Sequence, residues 1–240
     1  MEEEKYLACE KRRVFFVMMF VGGFFGAFTY CLRGGVFCNA QTGNFVLMAM
    51  ALGNQNYGHA LYYLIPMSAY CAGAFFSEGL ANVIKRFGAV RWDTFFIFLE
   101  ICVVLVLGAL PESAPYQITQ VAINFICSMQ YNTFRQARGV PMATTFCTNH
   151  TRQVGIHLYK AWHHRANNKK WKKDLKRVFS HFSMLLMFVA GGIISTALCN
   201  RFAGHALWFA LIPLGFVFAV LLQADLVSEK GMLEQIPHGH

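Results

Sequence analysis

Two polar segments stand where an apolar chain offers little other chemistry: Phe37-Cys38-Asn39-Ala40-Gln41-Thr42-Gly43-Asn44 and, in the second half, Thr145-Phe146-Cys147-Thr148-Asn149-His150-Thr151-Arg152. Each follows a long apolar stretch and a Gly-containing break, and each opens a helical pattern with Thr42 or Thr148 placed as an N-cap. The first N–H groups of a helix lack intrahelical partners, and the helix dipole puts partial positive charge there. A helix start at membrane depth therefore suits an anion or the negative end of a polar solute, and Gly43 lets such a group approach the backbone. The candidate solute-binding residues are Asn39, Gln41, Thr42, Gly43, Asn44, Thr148, Asn149 and Arg152. Mutual capping is an equally good reading for any single one of Asn39, Gln41, Asn44 or Asn149.

Ionisable groups inside apolar runs are few. Glu100, in Phe98-Leu99-Glu100-Ile101-Cys102, sits near the middle of such a run, where an unpaired ionised carboxylate is costly. A carboxyl group that can change its charge there is a candidate for proton coupling, and Glu78, nearer the end of its run, is a second. A paired structural carboxylate is the alternative for both. Gln117, Gln120, Asn124 and Ser128 recur at three and four, so they form one helical face, which Gln130 extends. Turned inward, Gln120, Asn124 and Gln130 are candidates to line a passage or to bond helices to one another.

The elements that must position these residues are membrane helices. With 56% hydrophobic residues, 24 Phe, 14% charged residues and a mean hydropathy of +0.39, the chain reads as an integral membrane protein rather than a water-soluble globule. Six runs are long enough to cross: Val14 to Leu32, Ala60 to Ile84, Thr94 to Leu110, Tyr116 to Phe134, Val178 to Asn200 and His205 to Gln223. The first follows Lys11-Arg12-Arg13 without an evident small-residue cleavage site and reads as a retained helix. The stretches Thr42 to Gly53 and Thr148 to Tyr159 are different, since about eleven residues make only roughly 16 Å of helix. The segments before them, Gly35 to Gln41 and Val140 to Cys147, have a composition that suits extended chain.

Charge decides whether those two short helices cross. If both did, eight spans would put Lys85, Arg86, Arg91, Arg135 and Arg138 on the side opposite Lys11, Arg12, Arg13 and the basic stretch 160–177. If neither does, all these cations share one side, as the positive-inside rule requires. The expected fold is an all-α polytopic membrane protein of six transmembrane helices plus two re-entrant half-helices, in an inverted 3+3 repeat. Residues 14–110 form the first repeat and 116–223 the second. Residues 1–13 and the tail 224–240 are cytoplasmic, and the expected address is a bacterial cytoplasmic membrane. Inverted repeats recur in secondary transporters because equivalent halves can exchange inward-facing and outward-facing states around a central site. A duplication kept only for packing is the alternative.

Phe37 with Gln41-Thr42-Gly43-Asn44, Met129-Gln130-Tyr131-Asn132 with Arg135, and Thr144-Thr145-Phe146-Cys147-Thr148 resemble the YoaK family of small integral membrane proteins. The resemblance covers most of the chain. It implies the membrane class and the paired motif, and it carries no established activity. In the second half the family pattern is T-T-x-C-T-G-N-L-R; here Asn149 and His150 stand where Gly and Asn are expected, and Arg152 keeps its place.

Eight of the 21 Lys and Arg fall between Lys160 and Arg177, beside Trp162 and Trp171. Contact with anionic headgroups is the expected role, rather than nucleic-acid binding, which the formal charge of +9 could otherwise suggest. His157, His163 and His164 lack spaced carboxylate or thiol partners, and the eight cysteines form no CxxC pair, so neither a metal site, a cofactor nor a disulfide framework is expected. Glycines 22, 23, 26, 191 and 192 read as close helix contacts. No P-loop, G-x-S-x-G elbow or H-E-x-x-H motif is present, and the chain does not read as an enzyme. The expected function is a small secondary transporter or exchanger for a small anionic or polar solute, with the proton as candidate coupling ion and Glu100 as coupling acid. An anion channel and a non-transporting scaffold are the alternatives, and both a monomer and a homodimer are compatible with the sequence.

Overall fold

A computed structural model describes residues 6–87, 90–233, 235 and 237. Lys85, Arg86 and Phe87 are described by backbone only, and the parts of the two termini at 1–5, 234, 236 and 238–240 lie outside the described residues. The chain is all-α apart from one short hairpin. Its helices are α1 (Arg12–Leu32), α2 (Gln41–Gly53), α3 (Tyr57–Phe87), α4 (Trp92–Gly108), α5 (Tyr116–Thr133), α6 (Thr148–His163), α7 (Asn168–Phe202) and α8 (Leu211–Gln223). Between α5 and α6, β1 (Gln136–Ala137) pairs antiparallel with β2 (Val140–Pro141).

Among the described residues, three helical stretches are long and apolar enough to cross a membrane: Arg12–Leu32, Tyr57–Ile84 and Asn168–Ser228, the last comprising α7, the turn after it, α8 and the π-helical segment Ala224–Ser228. Large apolar side chains cover the outside as well as the inside. Phe75, Val106, Phe179, Ile193 and Ile212 are all more than half exposed, while Phe15, Phe24, Phe25, Phe28, Phe96 and Phe134 fill the core. An apolar exterior around a packed interior is what a lipid solvent selects.

Packing follows a pattern of pairs. α1 lies against α7, α3 against α5, α2 on α3, α6 on α7 and α4 against α8. The first two pairs are close because they meet at glycine: a Cβ on Gly23 or Gly191 would run into the backbone at Phe188 or Phe20, and one on Gly73 into the backbone at Phe125. Small residues let helix backbones approach where lipid provides no hydrophobic drive between helices.

Hydrogen bonds identify what meets at each end of the bundle. At one end Ala8 N donates to Glu229 Oε1 (2.8 Å), Arg91 N to Asp225 Oδ2 (3.0 Å), Thr94 Oγ1 to the same oxygen (2.6 Å), and Arg138 N to Glu10 O (3.1 Å). The chain before α1, the start of α4, the β-hairpin after α5 and the turn after α8 are thus tied together. Arg91 completes the clasp through Asp93 (3.2 Å) and Glu229 (3.8 Å). Burial pushes the Glu229 carboxyl up, against the pull of Arg91, and burial pushes the Cys9 thiol up as well. At the other end Gln120 Nε2 donates to Arg33 O (2.5 Å), the His205 ring to Gly108 O (2.8 Å), and Trp208 Nε1 to Leu105 O (3.1 Å).

Several sequence expectations change. Neither Thr42 nor Thr148 is an N-cap: Ala40 and Cys147 hold those positions, and no side chain caps either helix. The approach to α2 is not extended, because Gly34 and Gly35 turn the chain with φ of 73° and 70°; of residues 140–147 only Val140–Pro141 is strand. The last apolar run begins as a 3-10 segment, Ala203–Ala210, before α8. Much of the basic stretch is helix rather than loop, since α6 runs to His163 and α7 starts at Asn168, where Asn167 Oδ1 accepts from Lys170 N (3.2 Å).

Candidate functional site

Asn44 sets the chain path into α2. Fully buried, it accepts from Phe37 N through Oδ1 (3.0 Å) and donates through Nδ2 to Phe37 O (2.6 Å) and Gln41 Oε1 (3.1 Å). One amide thus satisfies both backbone groups of a residue seven positions upstream, which a buried irregular segment otherwise leaves unpaired. Gln41 Nε2 reaches Asn124 Oδ1 on α5 (2.8 Å) and Cys38 O (3.3 Å), and Asn39 Nδ2 donates to Gly22 O on α1 (2.8 Å). Gly43 has no side chain because a Cβ there would lie 3.1 Å from the Phe37 ring.

The start of α6 is held in a matching way. His150 donates from Nε2 to Ala143 O (2.8 Å), again seven residues upstream, and Gln130 Nε2 donates to Met18 O (3.1 Å) and Thr144 O (3.4 Å). His150 therefore does for the second segment part of what Asn44 does for the first, and the departure at this position keeps a backbone bond.

Both helix starts, with Thr42 and Thr148 exposed, border one open-sided cavity of 1180 Å³ whose other walls come from α1, α7 and Tyr70 of α3. Asn39, Gln41 and Thr42 reach it from one segment, and Phe146, Cys147 and Thr148 from the other. Phe37, Tyr70 and Phe188 contribute apolar and aromatic wall, and Gly23, Gly26 and Gly192 keep the helices on its floor thin. The cavity thus combines a mostly apolar lining with two helix starts that no side chain caps.

A second cavity, 380 Å³, is lined by Tyr131, Asn132, Arg135 and Asn149. Phe146 borders both cavities and lies 4.8 Å from the Tyr131 ring, centroid to centroid. Beside the second cavity the Glu78 carboxylate accepts from Asn132 Nδ2 (3.0 Å) and from Arg135.

Of the candidate solute-binding residues, the structure brings Asn39, Gln41, Thr42 and Thr148 to the larger cavity. Gly43 and Asn44 stand behind it as supports, Asn149 borders the smaller one, and Arg152 is exposed, with Nη2 3.3 Å from Asn149 Oδ1. Glu100 is fully buried on α4, with neither carboxyl oxygen hydrogen-bonded, and it borders neither cavity. Glu78 is half of an exposed ion pair. Gln120, Asn124 and Gln130 are fully buried as the stripe requires, and their amides bond α5 to neighbouring segments. Among the described residues no group of three His, Cys, Asp or Glu is placed to hold a metal ion.

Sequence reasoning missed the aromatic wall and His181. The histidine stands alone in an apolar stretch of α7, and an ionisable residue there was signal enough to single it out. Of the histidines near the basic stretch, His157 and His164 share Asp174, and His163 stacks on Tyr159.

Residues 14–220 match the model of a family described as a protein of unknown function, DUF1275. No curated protein and no solved structure matches the chain.

Proposed function

This chain belongs to the DUF1275 family, and from that premise we propose that it is a small secondary transporter or exchanger for a small anionic or polar solute. The observation that carries the reading is the convergence of two uncapped helix starts, through Thr42 and Thr148, on one cavity. Each start presents the equivalent of about half a positive charge, and the cavity wall is otherwise apolar. The solute that fits best has a compact anionic or polar end for the helix starts and an apolar body for Phe37, Phe146 and Phe188. Glu100 is the candidate coupling acid, and the resemblance to YoaK proteins is read as kinship within this family.

The inverted-repeat reading has two supports. Exchanging α1–α4 with α5–α8 maps the α1–α7 contact onto α5–α3, the α2–α3 contact onto α6–α7, and α4–α8 onto itself. The bonds from Asn44 and His150 to carbonyls seven residues upstream are equivalent under the same exchange. Six crossings with two re-entrant half-helices are supported by the hydrogen bond from Arg138 N to Glu10 O, which joins the hairpin after α5 to the chain before α1. In this reading both termini are cytoplasmic in a bacterial membrane, and Trp162, Trp171 and the cations around them meet anionic headgroups.

Sidedness is checked with single cysteines in a Cys-free background and an impermeant thiol reagent applied to intact cells. Tyr57→Cys should label and Pro141→Cys should not; the reverse result establishes eight crossings and removes the repeat.

Transport is tested by counterflow of labelled small organic anions into vesicles containing the purified full chain. Thr42→Val with Thr148→Val should lower exchange at least tenfold, and Glu100→Gln should leave exchange but abolish its response to a proton gradient. Voltage-driven current without counterflow would replace the transporter by a channel. Neither signal, with no anion raising the thermal stability of the protein, would leave a scaffold.

A further inference from the structure

The seam between α6 and α7 holds a chain of titratable side chains that the cavity does not use. His150 Nδ1 lies 3.0 Å from His181 Nδ1, both rings buried. The His181 and His157 rings are parallel within 5°, centroids 6.2 Å apart. His157 Nδ1 lies 3.2 Å from Asp174 Oδ1, and Asp174 Oδ2 lies 2.8 Å from His164 Nδ1. His164 is the outermost member, with a third of its side chain exposed. The series runs the length of α6, from its first turn to the residue just past its end.

The partners fix where the protons sit. Ala143 O can only accept, so His150 Nε2 carries a proton. In neutral His150 the Nδ1 is then bare, and the bond to His181 requires the proton on His181 Nδ1. His181 Nε2 is left as a free lone pair.

We propose that this seam is a proton path from water at His164 to the start of α6, with the His150–His181 pair as its inner proton-binding site. At rest the Asp174 carboxylate accepts from Nδ1–H of both His157 and His164, which leaves each Nε2 bare. A proton taken up at His164 Nε2 releases the Nδ1 proton to Asp174, and the His164 ring then turns so that its remaining N–H again faces Asp174. The His157 ring turns its bare Nε2 to Asp174 and takes that proton, and its Nδ1 gives its own proton through one water to His181 Nε2. When His181 Nε2 gains that proton, the shared Nδ1 proton shifts to His150. His150 then holds two protons and one positive charge, and His181 is again neutral with its proton on Nε2. The groups that face the seam are Arg12 from α1, Lys160 from α6, and Arg177 and Asp174 from α7, so its fixed charge is one carboxylate among three cations.

The charge delivered to His150 appears on the first turn of α6, two residues after Thr148, which lines the larger cavity. That it couples protons to an anionic solute rests on the transporter reading; the path itself does not.

The path is tested on the full chain in lipid nanodiscs with nitrogen-15-labelled histidine. Nuclear magnetic resonance should show one proton shared between two ring nitrogens, lost in His150→Asn, a change that leaves an amide able to reach Ala143 O as Asn44 reaches Phe37 O. Exchange of that proton with water should slow at least tenfold in Asp174→Asn and, where that variant does not fold, in His157→Gln. No shared proton in the wild type, or exchange unchanged in the folded variant, overturns the proposal. Neither result depends on whether the vesicle experiments find a transported anion.

Discussion

Gly191→Ala should nearly abolish the folded protein, while Gly192→Ala, one residue along the same helix, should be almost silent. A Cβ on Gly191 would stand about 3.0 Å from Phe20 C and Phe24 N and closer still to Phe20 O, all backbone atoms of α1. No rotamer change relieves a clash with backbone, so α1 and α7 must separate, and the contact they share is the most extensive in the bundle. Overpacking of a tight site costs about 1–3 kcal/mol and more where the backbone itself must shift. About 3 kcal/mol or more is expected here, a large part of a typical stability. At Gly192 the nearest atoms are Gly23 O at 3.7 Å and Ala27 Cβ at 3.8 Å, ordinary van der Waals contact, and the change should stay within about 0.5 kcal/mol. Unfolding of the purified protein in mixed micelles, followed by intrinsic fluorescence, reads both values. Equal effects of the two substitutions would show that α1 and α7 do not approach through this face.

Glycines 191 and 192 are indistinguishable in the sequence, and the reason they differ marks where sequence reasoning stops. Apolar length is enough to place most of the helices, because a helix that crosses lipid needs a long uninterrupted run. The helix starts at 41 and 148 are also legible, since a polar break amid apolar runs must be satisfied within the protein. Which side chain satisfies it is not. Ala40, with φ −105° and ψ 68°, and Cys147, with φ −92° and ψ −24°, hold backbone angles outside the usual N-cap range and carry no capping oxygen, so capping by Thr is lost. Arg152 belongs to the motif yet is exposed, because a cation in a mostly apolar cavity would need a partner that the lining does not provide. His150 and His181 meet only through the register of α6 on α7, set by packing between residues 31 positions apart.

Asn44→Ala should cost about 2–4 kcal/mol, since it leaves the Phe37 N–H and carbonyl without the amide that holds them and each unsatisfied buried group costs about 1–3 kcal/mol. The site is closed to water at Asn44 itself, which is fully buried, so solvent cannot replace the lost bonds without opening the segment. The damage should spread along the chain: Gln41 loses its partner at Oε1, and the Phe37 ring, which leaves no room for a side chain at Gly43, is no longer held in place. The start of α2 then drifts from the cavity wall, so on the transporter proposal the same variant should lose solute exchange at temperatures where the bundle is still folded. His150→Ala removes the bond to Ala143 O and the bond to His181, and should cost a similar amount. His150→Asn should cost distinctly less than His150→Ala, because an amide at this position can still reach a carbonyl seven residues upstream. If the two halves are structural equivalents, the amide rescues the second as it serves the first. Thermal unfolding in detergent, with exchange measured on the same preparations, separates these outcomes. An Asn variant no better than the Ala variant would mean that His150 is held for its ring and its proton, not as the counterpart of Asn44.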